Sequence, residues 1–145
     1  MNNVYGKVKE FRNKYSGGIA WRLKRHSEVI EKHLNPGEEV LYAFCGQKNL
    51  GPFEWFDTYV GVITNKRMLF GHKNLLWGYV LSSVTPDLYN DLQIFQGLIW
   101  GKIVIDTAKE TIVLTNLAKH GLDDIETNIS EYMMEQKKLY SKEGK

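Results

Sequence analysis

The chain has 145 residues, 43% of them hydrophobic and 25% charged, which fits one soluble globular domain and excludes a disordered chain. Its net charge is only +2, and the excess of cations lies in residues 1–34, which hold eight Lys or Arg and three Asp or Glu. A nucleic-acid-binding domain is usually basic over its whole body, so we expect no nucleic acid partner.

The cysteine content and the hydropathy pattern indicate the compartment. Cys45 is the single cysteine, so an intrachain disulfide cannot form. The N-terminal segment lacks the apolar core of a secretory signal, and no stretch approaches 18 consecutive apolar residues. We therefore expect a cytoplasmic protein.

Two helices are predicted before residue 36. Apolar residues recur three or four positions apart in residues 4–15 and again in residues 19–34. Ser16-Gly17-Gly18 interrupts the first pattern, and Asn35-Pro36-Gly37 ends the second. We expect residues 1–35 to form a basic N-terminal helical extension.

The pattern changes after Pro36 to short apolar runs separated by turn residues, which is typical of strands. Close and regular spacing of such runs predicts a small antiparallel barrel or sandwich. The seven predicted strands cover residues 40–45, 58–64, 67–72, 75–81, 88–95, 99–106 and 110–115.

A final amphipathic helix is predicted to begin at Leu122. Asp123 and Asp124 lie in its first turn and Lys137 and Lys138 in its last, which suits the helix dipole. Its apolar face needs a cover, and residues 142–145 are expected to form a frayed tail. The apolar face consists of Leu122, Ile125, Ile129, Tyr132 and Met133.

Three segments carry a family resemblance: VITNKRMLF at residues 62–70, LSSV at residues 81–84 and GKIVIDT at residues 101–107. In this order of elements the chain resembles bacterial pleckstrin-homology-like (PH-like) domains, a group similar to GRAM domains. The resemblance implies an α+β fold over residues 36–141. That fold is a seven-stranded antiparallel barrel or orthogonal sandwich capped by the C-terminal helix.

The polar residues Asn65, Lys66 and Arg67 lie between two predicted strands. The structural interpretation is a hairpin turn, because Asn tolerates the left-handed conformation of tight turns and Arg67 can pair with a carboxylate. The functional interpretation is an anion-binding site. We favour the turn.

The resemblance implies where a phosphoinositide site would lie, because pleckstrin-homology domains that bind phosphoinositides do so through clustered lysines and arginines around the first two strands. Here the loop between these two strands has one cation, Lys48, against Glu54 and Asp57. This departure argues against phosphoinositide headgroup binding.

The same loop is rich in apolar residues. One interpretation is contact with a protein or insertion into a membrane. The other is that Trp55 and Phe56 begin the second strand and pack in the core. The candidate contact residues are Leu50, Phe53, Trp55 and Phe56.

The densest basic cluster lies in the second predicted helix and includes Trp21, Arg22, Lys24 and Arg25. These residues suit an anionic bilayer surface or nucleic acid phosphates. They also suit a helix that packs on the barrel with solvated cations, which we favour.

Catalytic and metal-binding motifs are absent from the sequence: it has no GxSxG, P-loop, GxGxxG or HExxH pattern. We therefore predict a non-enzymatic binding or scaffold domain without metal or cofactor. It is expected to act by protein contact or self-association as a homo-oligomer. The alternative is a peripheral membrane protein that docks on anionic lipid through the basic helix and the aromatic first loop.

Overall fold

The computed structural model describes residues 3–15, 22–48, 58–74, 76–98 and 100–143, and these contain three α-helices and seven strands. The helices are α1 (Val4–Lys14), α2 (Leu23–His33) and α3 (Leu122–Glu143). The strands are β1 (Val40–Lys48), β2 (Thr58–Thr64), β3 (Met68–Lys73), β4 (Tyr79–Val84), β5 (Tyr89–Gln96), β6 (Trp100–Thr107) and β7 (Thr111–Ala118).

All seven strands belong to one antiparallel sheet, in the order β4-β3-β2-β1-β7-β6-β5. Among the residues that the structure describes, the pairing of β1 with β7 is short: Gln47 and Lys48 pair with Thr115 and Leu114. The rest of β1 pairs with β2 alone. The sheet therefore consists of a four-stranded and a three-stranded part, joined over two residue pairs. The predicted seven-stranded antiparallel fold is confirmed.

The core lies between the sheet and the helices. Its largest fully buried side chains include Phe44, Phe70 and Leu114, contributed by β1, β3 and β7. The C-terminal helix covers this core as predicted, because its apolar positions are almost completely buried. They are Leu122, Ile125, Ile129, Tyr132 and Met133.

The two N-terminal helices pack against the sheet. α1 contacts β1, and α2 contacts β2 and β3. Val8 of α1 and Ile30 of α2 have no exposed surface and belong to the same core cluster as the strands. Glu31 of α2 also accepts a hydrogen bond from the backbone N–H of Val4, at 2.9 Å, which satisfies a free donor at the start of α1.

The start of β4 differs most from the prediction. The expected strand over residues 75–81 begins only at Tyr79, and the strand expected over residues 67–72 ends at Lys73. The reason is Gly78, whose φ of +83° interrupts an extended chain. The Asn74 N–H donates to the Gly78 carbonyl at 3.1 Å and closes the turn between β3 and β4.

Candidate functional site

Asn65 and Lys66 lie in the turn between β2 and β3, and Arg67 directly precedes β3. The Asn65 side chain accepts a hydrogen bond from the Glu39 N–H and donates one to the Gly37 carbonyl. Lys66 is exposed, and its ammonium lies 3.5 Å from the Pro36 carbonyl.

The Arg67 guanidinium is held on several sides. It donates to both carboxylate oxygens of Glu38, at 3.0 and 3.1 Å. It also donates to the His33 carbonyl at 2.9 Å and to Ser83 Oγ at 3.1 Å. Arg67 therefore ties the end of α2, the entry to β1 and strand β4 together.

Glu38 is buried, with 1% of its surface exposed. Burial by itself raises the pKa of this carboxyl. Hydrogen bonds from Arg67, from the Asn35 N–H and from the Thr64 hydroxyl, together with the charge of Arg67, outweigh burial and lower the pKa to about 2. The pair is charged at neutral pH and holds the fold together at the hairpin.

A cleft of about 180 Å³ lies between α1, β1 and α3, lined in part by Lys7, Phe11 and Asp124. At its wall the Tyr42 hydroxyl donates to Asp124 Oδ2 at 3.0 Å. Burial, and then the negative charge of Asp124, raise the pKa of Tyr42 well above its ordinary value. Tyr42 is therefore a protonated hydrogen-bond donor between strand and helix, and it cannot act as a base.

Cys45 and the buried histidines also have structural roles. Burial raises the pKa of the Cys45 thiol to about 11, which leaves it protonated and unreactive. His26 stacks on His72 with ring centroids 4.7 Å apart, and its Nδ1 accepts from the Lys73 N–H at 2.8 Å. Among the described residues no group of three or more His, Cys, Asp or Glu side chains is arranged to hold a metal ion.

The cations of α2 and β3 converge on a surface cavity of about 340 Å³. Arg25 and Lys32 contribute from α2, and Lys73 from the end of β3. The single carboxylate in the lining is Glu28, so cations outnumber it three to one. His33 and Tyr79, which also line the cavity, hydrogen-bond each other at 3.1 Å. Such a cavity favours an anionic group.

Arg22 precedes α2 and points toward the same strand end. Its Nη1 donates to the Lys73 carbonyl at 3.4 Å. Its backbone has a φ of 55°, in the left-handed region that costs a non-glycine residue roughly 1–2 kcal/mol. Lys24 is an exposed cation of α2 that does not line the cavity.

Two large apolar side chains project beside these cations. Leu76 is 79% exposed and Trp77 is 78% exposed, both in the turn between β3 and β4. Tyr79 and Val80, the first residues of β4, are also exposed. We use the name basic turn surface for the set Arg25, Lys32, Lys73, Leu76 and Trp77.

The sequence-predicted contact residues divide into two groups. Arg25 belongs to the basic turn surface, Arg22 contacts the Lys73 carbonyl at the end of β3, and Lys24 lies nearby on α2. The other candidates lie outside the described residues: Trp21, Leu50, Phe53, Trp55 and Phe56.

Sequence reasoning missed Lys32, Lys73, Leu76 and Trp77. The signal was present in Leu76-Trp77-Gly78, because a glycine after two large apolar residues can place them in a turn instead of a strand. None of the helices in the described ranges is long and apolar enough to cross a bilayer.

Comparisons of sequence and of structure relate this chain to known proteins. The sequence profile of a family described as Bacterial PH domain matches residues 34–131. The structure is similar to a pleckstrin homology domain from Shewanella amazonensis, with 14% identity, 76% of this chain and 83% of that chain covered, and a TM-score of 0.46. It is also similar to a protein with a pleckstrin-homology domain from Shewanella loihica, with 13% identity, 76% and 88% covered, and a TM-score of 0.48. No curated protein matches the chain.

Proposed function

We propose that this chain, which belongs to the bacterial PH domain family, is a non-enzymatic binding module that acts by contact with another protein chain. The ionisable groups described above support a binding role. Glu38 is neutralised by Arg67, Cys45 is a buried thiol, and Tyr42 stays protonated. None of the three is available as a nucleophile or a base.

One observation carries the proposal: β5 is an eight-residue strand at the edge of the sheet, with β6 as its one partner among the described strands. An edge strand presents unpaired N–H and C=O groups that another strand can pair with. The opposite edge, β4, has six residues, and its Ser82 Oγ donates to Glu110 Oε1 at 3.1 Å, while α3 contacts β5. We choose β5 because it is the longer of the two edge strands.

The side chains of β5 suit contact with a second copy of the chain. Phe95 is 47% exposed, and Leu98 in the following turn is 89% exposed. Two β5 strands related by a twofold axis can pair antiparallel, and each Phe95 then lies near the partner's strand. The proposed assembly is therefore a homo-oligomer joined at β5.

Sedimentation velocity over a range of concentrations tests this proposal. The wild-type chain should associate at micromolar concentration, and Phe95→Asp should weaken the association by about tenfold or more. Leu41→Asp is the matched control, since Leu41 is a 52% exposed apolar residue on β1. A wild-type chain that stays monomeric at high micromolar concentration would refute self-association.

The second candidate function is peripheral docking on anionic lipid through the basic N-terminal helix. The favouring observation is that Lys24, Arg25 and Lys32 lie exposed on α2, which packs on the sheet with its apolar face. Sedimentation with anionic and neutral vesicles at low and high salt tests it. Binding restricted to anionic vesicles at low salt supports docking.

A further inference from the structure

We infer that the basic turn surface is a docking site for an anionic lipid bilayer, in which Leu76 and Trp77 enter the interfacial region and the cavity of Arg25, Lys32 and Lys73 receives lipid phosphate groups. This inference rests on the second candidate function and names its contact residues. It places the apolar anchor in the turn between β3 and β4, whereas the sequence alone predicted it in the first loop.

The turn has the properties of a preformed anchor. It is closed by the Asn74 N–H to Gly78 carbonyl bond, and Gly78 adopts the positive φ that the turn requires. This bond fixes the two ends of the turn that carries Leu76 and Trp77, so inserting these side chains costs little further ordering. Tryptophan is the residue type most suited to the membrane–water boundary, where its ring is apolar and its N–H remains hydrated.

The cations lie where phosphate groups would meet them. Lys73 pairs across the ladder with Tyr79, next to the turn, so its charge lies just behind the apolar tip. Arg25 and Lys32 reach the same cavity from α2. A water molecule occupies about 30 Å³ of liquid, so a cavity of about 340 Å³ has room for a phosphate group.

The shape and charge favour a bilayer over a folded protein partner. Stable protein interfaces bury about 800 Å² on each side, with charged residues depleted from their centre. The basic turn surface is instead a tip of two apolar residues with cations set directly beside it. This is the arrangement that an anionic interface accommodates, apolar groups below and cations at the level of the phosphates.

A hydrogen bond between β2 and β3 places the surface at one end of the sheet. Thr58, where β2 begins, accepts a hydrogen bond from His72 Nδ1 at 2.8 Å, next to Lys73. The described ends of the connection between β1 and β2 therefore lie at the same end as the β3–β4 turn.

Arg25 and Lys32 precede the family match, while Lys73, Leu76 and Trp77 lie inside it. The surface is thus shared between the family domain and the extension.

The test uses the full chain and vesicles of phosphatidylserine and phosphatidylcholine in equal amounts, beside vesicles of phosphatidylcholine alone, at about 0.1 M and about 1 M salt. Trp77→Ser should lower binding to the anionic vesicles by about tenfold or more. Lys32→Gln and Lys73→Gln should each lower it by about fivefold, the effect of one cation near an anionic surface.

Matched controls separate the site from general hydrophobicity and charge. Met134→Ser removes an exposed apolar side chain from α3, and Lys138→Gln removes an exposed cation from the same helix. Both should leave binding close to the wild-type value. A variant that keeps Trp77 as its only tryptophan should show blue-shifted emission on anionic vesicles.

The outcomes separate the inference from the function on which it rests. If the wild-type chain binds no vesicles, both the inference and the membrane-docking function are refuted. Wild-type binding that Trp77→Ser and Lys32→Gln leave unchanged refutes the inference and keeps membrane docking, with residues 49–57 as the next anchor to test. If Lys138→Gln weakens binding as much as Lys32→Gln, the cavity has no special role. If Trp77→Ser instead dissociates an oligomer, the surface is a contact between copies, and the lipid assignment is wrong.

Discussion

Arg67 and Glu38 form a two-pronged ion pair in which the carboxylate side chain has no exposed surface. The pair connects the segment before β1 with the start of β3. Removing either partner of such a buried pair destabilises the fold, because the remaining charge is left in a site that water cannot reach. Its energetics can be measured directly.

Glu38→Gln should lower the free energy of unfolding at pH 7 by about 3–5 kcal/mol. The pKa of Glu38 is depressed to about 2 from an ordinary 4.5, so its contribution is present above pH 4.5 and is lost as the pH falls toward 2. The difference in unfolding free energy between wild type and Glu38→Gln should therefore become smaller as the pH falls from 4.5 toward 2. Urea unfolding between pH 7 and pH 3 measures it, with the exposed neighbour Glu39→Gln as control.

Gly61→Ala should destabilise the fold by about 1–3 kcal/mol. A Cβ at position 61 would lie 2.5 Å from Cζ of Phe44, whose side chain is 1% exposed and cannot move aside freely. Phe44→Leu shortens that side chain, so the double variant should lose less than the two single variants together. Thermal unfolding of the four proteins gives the coupling, and strict additivity would show that the two residues do not meet.

Phe11→Ala should cost about 3–5 kcal/mol of stability. Phe11 lies on α1, is 5% exposed, and packs its ring near those of Tyr42 and Phe44, each with centroids 6.3 Å away. The matched control is Asn13→Ala, an exposed position on the same helix. If α1 moved independently of the sheet, both substitutions would change the unfolding free energy by under about 0.5 kcal/mol.

The Cys45 thiol should react slowly with a thiol reagent in the native state. With a pKa of about 11, about one thiol in a thousand is ionised at pH 8, compared with about a quarter in an unfolded chain. The native rate should rise with pH, and unfolding in urea should accelerate it by a factor of a hundred or more. A native rate equal to the unfolded rate would mean that Cys45 is accessible.

The fold could be predicted from the sequence because its signals are local. Alternating runs such as residues 58–64 and the apolar face of α3 specify their own element type, and the TNKR segment identifies a hairpin. The partner of Arg67 could only be described as some carboxylate, because Glu38 is 29 residues away and no local pattern joins them.

The basic turn surface was harder to predict for the same reason. Its cations come from α2 and β3, which are adjacent in space and distant in sequence. Leu76 and Trp77 look like strand residues by composition, and the positive φ of Gly78 decides otherwise. The strand propensity of Leu76 and Trp77 describes single residues, whereas the closed turn depends on the geometry of the whole hairpin.

The two residue pairs that join β1 to β7 have a consequence for motion. Within the described ranges the rest of β1 pairs on one side only, so the described residues of the four-stranded and three-stranded parts share few backbone hydrogen bonds. Coupling between them depends instead on side chains packed across the interior and on α3. Amide hydrogen exchange should then divide the sheet into two cooperative units, with the seam at Gln47 and Thr115 opening before either unit unfolds.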